Sequence, residues 1–325
     1  RRTKLSGRTC QRLTLINMPP VSRCKFLAIG LLLLFAVYRT TAQDTARVSS
    51  CFRCIQNSQS DLNYMALLPV VENFSGDRPW VEAACGSRFY LVTSLKYRLL
   101  IDVAAQVQLR VFNEMSYPVW SPGYMPSASV LWLWRSSYVK LQAGHVSNGE
   151  TGNFYNHDST SVNFRNGSFC TNYLQLQYGI IFNCMNHGFH HAALAFRFDG
   201  DLLLPVFEYE RVFKYSYGQY RFVFQYNWNS GEKLIRLGFE DLSLPVSFTF
   251  RTENSYIAGR LSDYPDIYDP RKFRFSHMSR LAVNIGKPLS VSPFVQYFYG
   301  RDYYNIRYAE RISALLLGIS IKKTF

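Results

Sequence analysis

Val139-Lys140-Leu141-Gln142-Ala143-Gly144-His145-Val146-Ser147-Asn148-Gly149 is the stretch whose reading decides the fold. In a β-strand, side chains alternate between two faces. Val139, Leu141, Ala143, His145 and Ser147 then share one face, and Lys140, Gln142, Gly144 and Val146 the other. An imidazole and a hydroxyl therefore stand two residues apart on the apolar side. In a water-soluble sandwich that side is the core, a poor place for a reactive pair. In an outer-membrane barrel it is the wall against lipid, where the pair meets acyl chains and ester bonds.

The flanking segments repeat the pattern. Arg88–Leu99 sets Phe89, Leu91, Thr93, Leu95 and Tyr97 against Arg88, Tyr90, Ser94, Lys96 and Arg98. Ala104–Met115 sets Val107, Leu109 and Val111 against Gln106, Gln108 and Arg110. Apolar-out, polar-in alternation is that of a barrel with a polar lumen, into which Lys96, Arg98, Arg110 and Lys140 would point. Asn172–Asn183 places Asn172, Leu174, Leu176, Tyr178, Ile180 and Phe182 on the outer face. Further strands are expected at Asn63–Val71 (weak, broken by Pro69), Ser127–Trp134, Phe189–Phe198, Val206–Tyr215, Tyr220–Trp228, Lys233–Leu242, Val246–Tyr256, Ser279–Gly286, Ser290–Tyr299 and Ile312–Lys323. The last puts Leu315, Leu317, Ile319, Ile321 and Phe325 in one register. The region with Gly76, Pro79 and Gly86 reads as a loop. Tight turns such as Arg135-Ser136-Ser137 and Gly286-Lys287-Pro288 alternate with long polar loops, as they do at the two ends of such barrels.

Composition agrees. Aromatics are 16% of the 325 residues at a mean hydropathy of only -0.11. Beyond the N-terminus there is no apolar run of the length a membrane helix needs. The competing class is a secreted β-sandwich. The formal charge of +14 is concentrated at the front, because residues 1–43 carry eight basic residues and no acidic one. The remainder has 28 basic against 22 acidic residues, which is no nucleic-acid footprint. Residues 18–43 read as a secretory signal: Met18, then Arg23 and Lys25, the apolar Phe26–Tyr38, and small Thr40-Thr41-Ala42. Residues 1–17 are expected to be a spurious extension, residues 44–62 a periplasmic lead-in without periodic pattern, and residues 63–325 the barrel. Of the five later cysteines (Cys51, Cys54, Cys85, Cys170 and Cys184), only Cys51-Phe52-Arg53-Cys54 is closely spaced. One such pair does not complete a zinc site, so a local disulfide or idle thiols is the expectation.

Strand lengths bring a third polar group to the His–Ser pair. His145 lies about nine residues above the turn at Arg135-Ser136-Ser137, and Asn172 about twelve above the turn near Met185-Asn186. The two thus fall at similar depth on neighbouring strands. An amide there can hold one ring nitrogen and leave the other toward Ser147, which is the logic of a hydrolytic triad. Asn163 is the rival, about twenty residues from that turn.

At this point the chain resembles the outer-membrane phospholipase A family. The family's His-x-Ser-Asn-Gly segment stands here as His145-Val146-Ser147-Asn148-Gly149, and its following-strand asparagine as Asn172 in Cys170-Thr171-Asn172-Tyr173. The resemblance runs more faintly over Phe89–Lys96, Gln225-Tyr226-Asn227-Trp228-Asn229 and the last hairpin to Phe325. It implies an all-β, antiparallel transmembrane barrel of 12 strands, where the segments counted above allow 14. It also implies a multi-pass protein of the bacterial outer membrane, and a calcium-dependent phospholipase A1/A2 that acts on membrane phospholipids as a homodimer. Ser147 would be the nucleophile, His145 the general base and Asn172 the residue orienting the histidine. Ser116, Glu150 (through its carbonyl) and Ser168 would hold the calcium ion. Two alternatives stay open: a non-catalytic pore or structural barrel, and a barrel esterase acting on lipid A. His187, His190 and His191 read as a solvated turn cluster, and Asp263, Asp266 and Asp269 as solvated loop charge.

Overall fold

The structure, a computed structural model, describes residues 42–59, 63–72, 78–114, 119, 122–156, 163, 165–183, 188–200, 217–236, 243–259, 261, 273–301 and 311–323. One helix, α1 (Ala42–Ser58), precedes the strands β1 (Asn63–Glu72), β2 (Pro79–Ser94), β3 (Leu99–Phe112), β4 (Gly123–Tyr124), β5 (Ser127–Trp134), β6 (Ser137–Ser147) and β7 (Cys170–Phe182). Next come β8 (Phe189–Asp199), β9 (Tyr220–Asn229), β10 (Lys233–Arg236), β11 (Ser243–Ala258), β12 (Phe275–Ile285), β13 (Leu289–Arg301) and β14 (Arg311–Lys323). All pairings between strands are antiparallel, and β14 pairs back onto β1, with Asn63 opposite Ile321. The ring β1-β2-β3-β5-β6-β7-β8-β9-β11-β12-β13-β14 is a closed barrel of twelve strands. Closure leaves no strand edge, which is the condition for a sheet to cross hydrocarbon. The short β4 and β10 stand outside the twelve, β4 bridging β3 and β6 above β5, and β10 pairing with β11 below β9. Among the described residues no helix is long and apolar enough to cross a membrane.

The outer surface carries Leu109, Leu141, Leu176, Leu194, Phe196, Phe222, Phe224, Leu281, Val295, Leu317 and Ile319, all exposed. The inner surface carries buried polar groups that satisfy one another. Arg110 Nε bonds Glu82 at 2.8 Å, and Tyr64 donates to the same carboxylate at 2.6 Å. Arg88 pairs with Asp102, which also accepts from Ser129. Arg197 and Arg221 share Asp199. Charges buried without water persist when paired in this way. An apolar belt over a polar, networked interior is an outer-membrane barrel, and the outer membrane is where such a barrel resides.

Four expectations need correction. The lead-in is a helix, because Val48, Cys51, Phe52 and Ile55 follow the i, i+3, i+4, i+7 spacing of one helical face. That face packs on Leu100, Leu131, Leu133, Tyr138, Ile181 and Phe189, inner-wall residues at the short-turn end, so the helix stoppers that mouth. Arg47 fixes it to the β5–β6 turn through a 2.7 Å bond to Ser136. Cys51 and Cys54 are buried in this packing, and no disulfide joins the described cysteines. Second, β2 begins at Pro79, through the region read as a loop, since Gly86 sits against the β3 backbone where a Cβ would lie 2.7 Å from the Ala105 carbonyl. Third, the register of β2 shifts between Tyr90 and Val92, which breaks the assumed alternation. Because β2 ends at Ser94, Lys96 and Arg98 lie in the turn that follows, at the barrel end and not in the lumen, whereas Arg110 and Lys140 face inward. Fourth, β1 continues through Pro69 by a shift of register between Leu67 and Val70. The expected strand Val206–Tyr215 and the terminal Phe325 lie outside the described residues.

Candidate active site on the lipid-facing wall

The β6–β7 pair is locked in register from inside the barrel. Gly144 faces Tyr173 and Gly179 faces Tyr138 in register. A Cβ at Gly144 would stand 2.3 Å from Tyr173 Cζ, and one at Gly179 2.3 Å from Tyr138 Cε1, so each ring lies across its glycine. This is the aromatic covering of a strand glycine that pins register. Gln142 Nε2 donates to the Tyr173 hydroxyl at 2.9 Å, and the Arg197 guanidinium sits 3.9 Å over the ring. A slip of one residue would turn every side chain to the opposite face.

With that register, His145 stands opposite Asn172 and Ser147 opposite Cys170. All four alternate with the inward Gly144, Val146, Thr171 and Tyr173, and so belong to the outer wall. The His145 Nδ1 and Asn172 Oδ1 atoms are 2.9 Å apart. A carboxamide oxygen accepts, so the ring proton sits on Nδ1 and Nε2 keeps its lone pair. Asn172 is 9% exposed, and its Nδ2 is buried with no hydrogen-bond partner. Ser147 is one step further along the same face, toward the long-loop end. Among the described residues no hydrogen bond joins Ser147 to His145.

The loop beyond Ser147 is built around Asn148, which is 1% exposed. Its Nδ2 donates to the Gly167 carbonyl at 2.7 Å, and its Oδ1 accepts from the amides of Phe169 at 2.9 Å and Glu150 at 3.3 Å. Ser168 donates its amide to the Gly152 carbonyl at 2.8 Å. The segments carrying Glu150 and Ser168 are thereby zipped together next to Ser147. Gly149 adopts φ 66°, and a Cβ there would sit 2.7 Å from the Tyr124 ring, so glycine is needed for both backbone and space. Tyr124 pairs in register with Ser147 and is exposed beside it. Glu150 and Ser168 offer hard oxygen donors only, the set calcium prefers. Ser116 lies outside the described residues. Asn163 is held in the loop by bonds to the Asn153 carbonyl and to Asn166, and takes no part in the His145–Asn172 pair.

The histidine cluster does not hold together as a solvated turn. His191 faces the lumen, buried, bonded to the Tyr138 hydroxyl at 2.7 Å and to Asn227 at 3.0 Å. His190 faces outward and bonds Tyr226 at 2.7 Å. The two point to opposite sides of one wall and cannot share a metal. His187, Asp263, Asp266 and Asp269 lie outside the described residues. Sequence reading missed Asn148 as a loop staple and Tyr173 as a register lock. The equal spacing of Tyr138 and Gly144 on one strand and of Tyr173 and Gly179 on the next is the available signal for the second.

No family model matches the chain, and no curated protein sequence matches it. Solved structures do. The outer membrane phospholipase A of Escherichia coli superposes with a TM-score of 0.50 at 14% identity, covering 86% of this chain and 99% of that one. An active-site asparagine-to-alanine mutant of the E. coli protein gives 0.50 at 13% identity with the same coverage. The calcium-bound dimer of the Salmonella typhi outer membrane phospholipase gives 0.49 at 13% identity, again over 86% and 99%. Identities this low speak for architecture alone, and in architecture this chain is a twelve-stranded barrel of the outer-membrane phospholipase A type.

Proposed function

We propose that the protein is an outer-membrane phospholipase A, a carboxylic ester hydrolase that cleaves phospholipid acyl esters from the lipid side of the barrel with Ser147, His145 and Asn172. The observation that carries this reading is the 2.9 Å contact between Asn172 Oδ1 and His145 Nδ1, on the outer wall, one step from Ser147. The active-site asparagine of the E. coli protein supports the same role for Asn172. Ser147 Oγ adds to the ester carbonyl carbon while His145 Nε2 takes its proton. The imidazolium then gives that proton to the departing lysophospholipid oxygen, leaving an acyl-serine. Water adds to the acyl-serine with its proton passing to His145, and the fatty acid leaves as Ser147 is reprotonated.

Glu150 and Ser168 would hold calcium, with Ser116 as a further ligand, and the active form would be a homodimer. Bound there, the ion supplies positive charge against the oxyanion of the tetrahedral intermediate. The staple from Asn148 supports this placement by keeping the two donor segments together. A pore is disfavoured by α1 across the short-turn mouth and by the ion-paired lumen. The test is fatty-acid release from phospholipid micelles and, in parallel, from lipid A, with and without calcium. The reading predicts calcium-stimulated release from phospholipid that Ser147→Ala lacks. Undiminished calcium-stimulated release by Ser147→Ala contradicts it, and release from lipid A alone transfers the site to the other substrate.

A further inference from the structure

A second set of serine, histidine and asparagine side chains sits on the outer wall, and it is more fully connected than the first. On β12, Ser279 Oγ lies 2.6 Å from His277 Nε2. His277 Nδ1 lies 2.8 Å from Asn254 Oδ1 on β11, directly opposite it in register. The three groups thus form an unbroken chain of hydroxyl, imidazole and carboxamide. Their faces are fixed by parity. On β12 the buried Ser276, Arg280 and Asn284 point inward, so His277 and Ser279 point outward with the exposed Phe275 and Leu281. On β11 the buried Glu253 and Ser255 point inward, so Asn254 points outward with the exposed Tyr256.

The spacing His277-Met278-Ser279 repeats that of His145-Val146-Ser147, in a strand running the opposite way. His277 is the third residue of a strand that enters from a long loop, so this site also lies at the long-loop end. It is not an extension of the first site, because β8 and β9 stand between β7 and β11. Three strand spacings make that separation roughly 14 Å along the wall. The surface between carries the clustered rings of Phe196, Phe198, Tyr220 and Phe222.

Polar residues near a membrane boundary often bond to one another with no further role. Two features go beyond that. The carboxamide oxygen fixes the ring proton on Nδ1, which leaves Nε2 as the acceptor facing the serine hydroxyl. The neighbour across from Ser279 is Thr252, whose hydroxyl oxygen is buried and unpartnered, so nothing there competes for the serine.

We infer that Ser279, His277 and Asn254 form a second nucleophilic site on the lipid-facing wall, taking carboxylic esters of long-chain fatty acids. Ser279 Oγ bonds to the acyl carbon as His277 Nε2 removes its proton. The carbon–oxygen bond to the alcohol breaks, and the alcohol takes that proton. Water then hydrolyses the acyl-serine to fatty acid and free serine. The inference uses none of the residues of the first site and stands if Ser147 proves inert.

The test is covalent labelling of the folded, detergent-solubilised full chain with a long-alkyl fluorophosphonate, followed by peptide mapping. In Ser147→Ala, a phosphonyl adduct on Ser279 is expected, and His277→Ala added to that background should abolish it. Asn254→Leu should slow labelling at Ser279 at least tenfold, with Asn254→Asp restoring it, which a merely structural asparagine would not do. Absence of an adduct on Ser279 in a Ser147→Ala barrel that retains its strand circular dichroism overturns the inference. Equal labelling rates in Asn254→Leu remove Asn254 from the site. An adduct on Ser279 with none on Ser147 in the wild type keeps this inference and sinks the phospholipase assignment to Ser147. An adduct on Ser147 alone does the reverse.

Discussion

Replacing Gly144 by alanine should damage the outer site from inside the barrel. The added Cβ would meet Tyr173 Cζ at 2.3 Å and its hydroxyl oxygen at 2.4 Å, where ordinary contacts begin at 3.4 Å. The ring must withdraw by about 1 Å, and overpacking of this kind costs roughly 1–3 kcal/mol. Withdrawal also weakens the Arg197 stacking at 3.9 Å and the Gln142 bond at 2.9 Å. Those are worth on the order of 1 kcal/mol each, against a gain of about 0.5–1 kcal/mol for replacing a strand glycine. The net loss is about 2–4 kcal/mol. In Tyr173→Ala the ring is gone, so Gly144→Ala added there has nothing to strike. A double-mutant cycle by urea unfolding in lipid vesicles should therefore show a coupling of about 3–5 kcal/mol between the two positions, because the glycine-replacement gain is common to both backgrounds and cancels. Ester hydrolysis should fall in Gly144→Ala although the residue never meets the lipid, because His145 and Asn172 lose their shared register. Additivity of the two substitutions within about 0.5 kcal/mol would refute the lock.

Asn172→Leu should lower ester hydrolysis by roughly a hundredfold, since the ring loses the acceptor that fixes its tautomer. Asn172→Asp should stay within about tenfold of the wild type, because it keeps the acceptor and gives up an amide that has no partner. Initial rates on phospholipid micelles separate the two, and equal damage in both would remove the orienting role. Phe52→Asp with Ile55→Asp should detach α1 from Leu131, Leu133 and Tyr138 and raise single-channel conductance in a planar bilayer. Unchanged conductance would show that the helix does not close the mouth.

The residues that made the barrel legible were those whose alternation runs unbroken. From Ser137 to Ser147 and from Cys170 to Phe182 the inner and outer sets separate cleanly, and this alone placed His145, Ser147 and Asn172 outside. Alternation failed where the backbone departs from it. The shift at Tyr90–Val92 reverses the faces that follow, and β2 stops at Ser94, so alternation carried on to Lys96 and Arg98 runs past the strand into a turn. Helix α1 was hidden because its buried face uses two cysteines, which invite a redox reading before a packing one. The His277–Asn254 pairing depends on how two strands align across residues 259–274, and no local pattern encodes that offset. Its one local trace, a His-x-Ser that the chain also carries at His145 and His157, lies at the mixed start of β12, where Phe275-Ser276-His277-Met278 does not alternate.

The account rests on an acyl group passing from a lipid to Ser147 at the outer wall. It is met most directly by quenching the protein in acid during incubation with an isotope-labelled phospholipid and calcium, then mapping acylated peptides. The account predicts the labelled fatty acid in ester linkage on Ser147. Sustained turnover with no acyl group on Ser147 would contradict it.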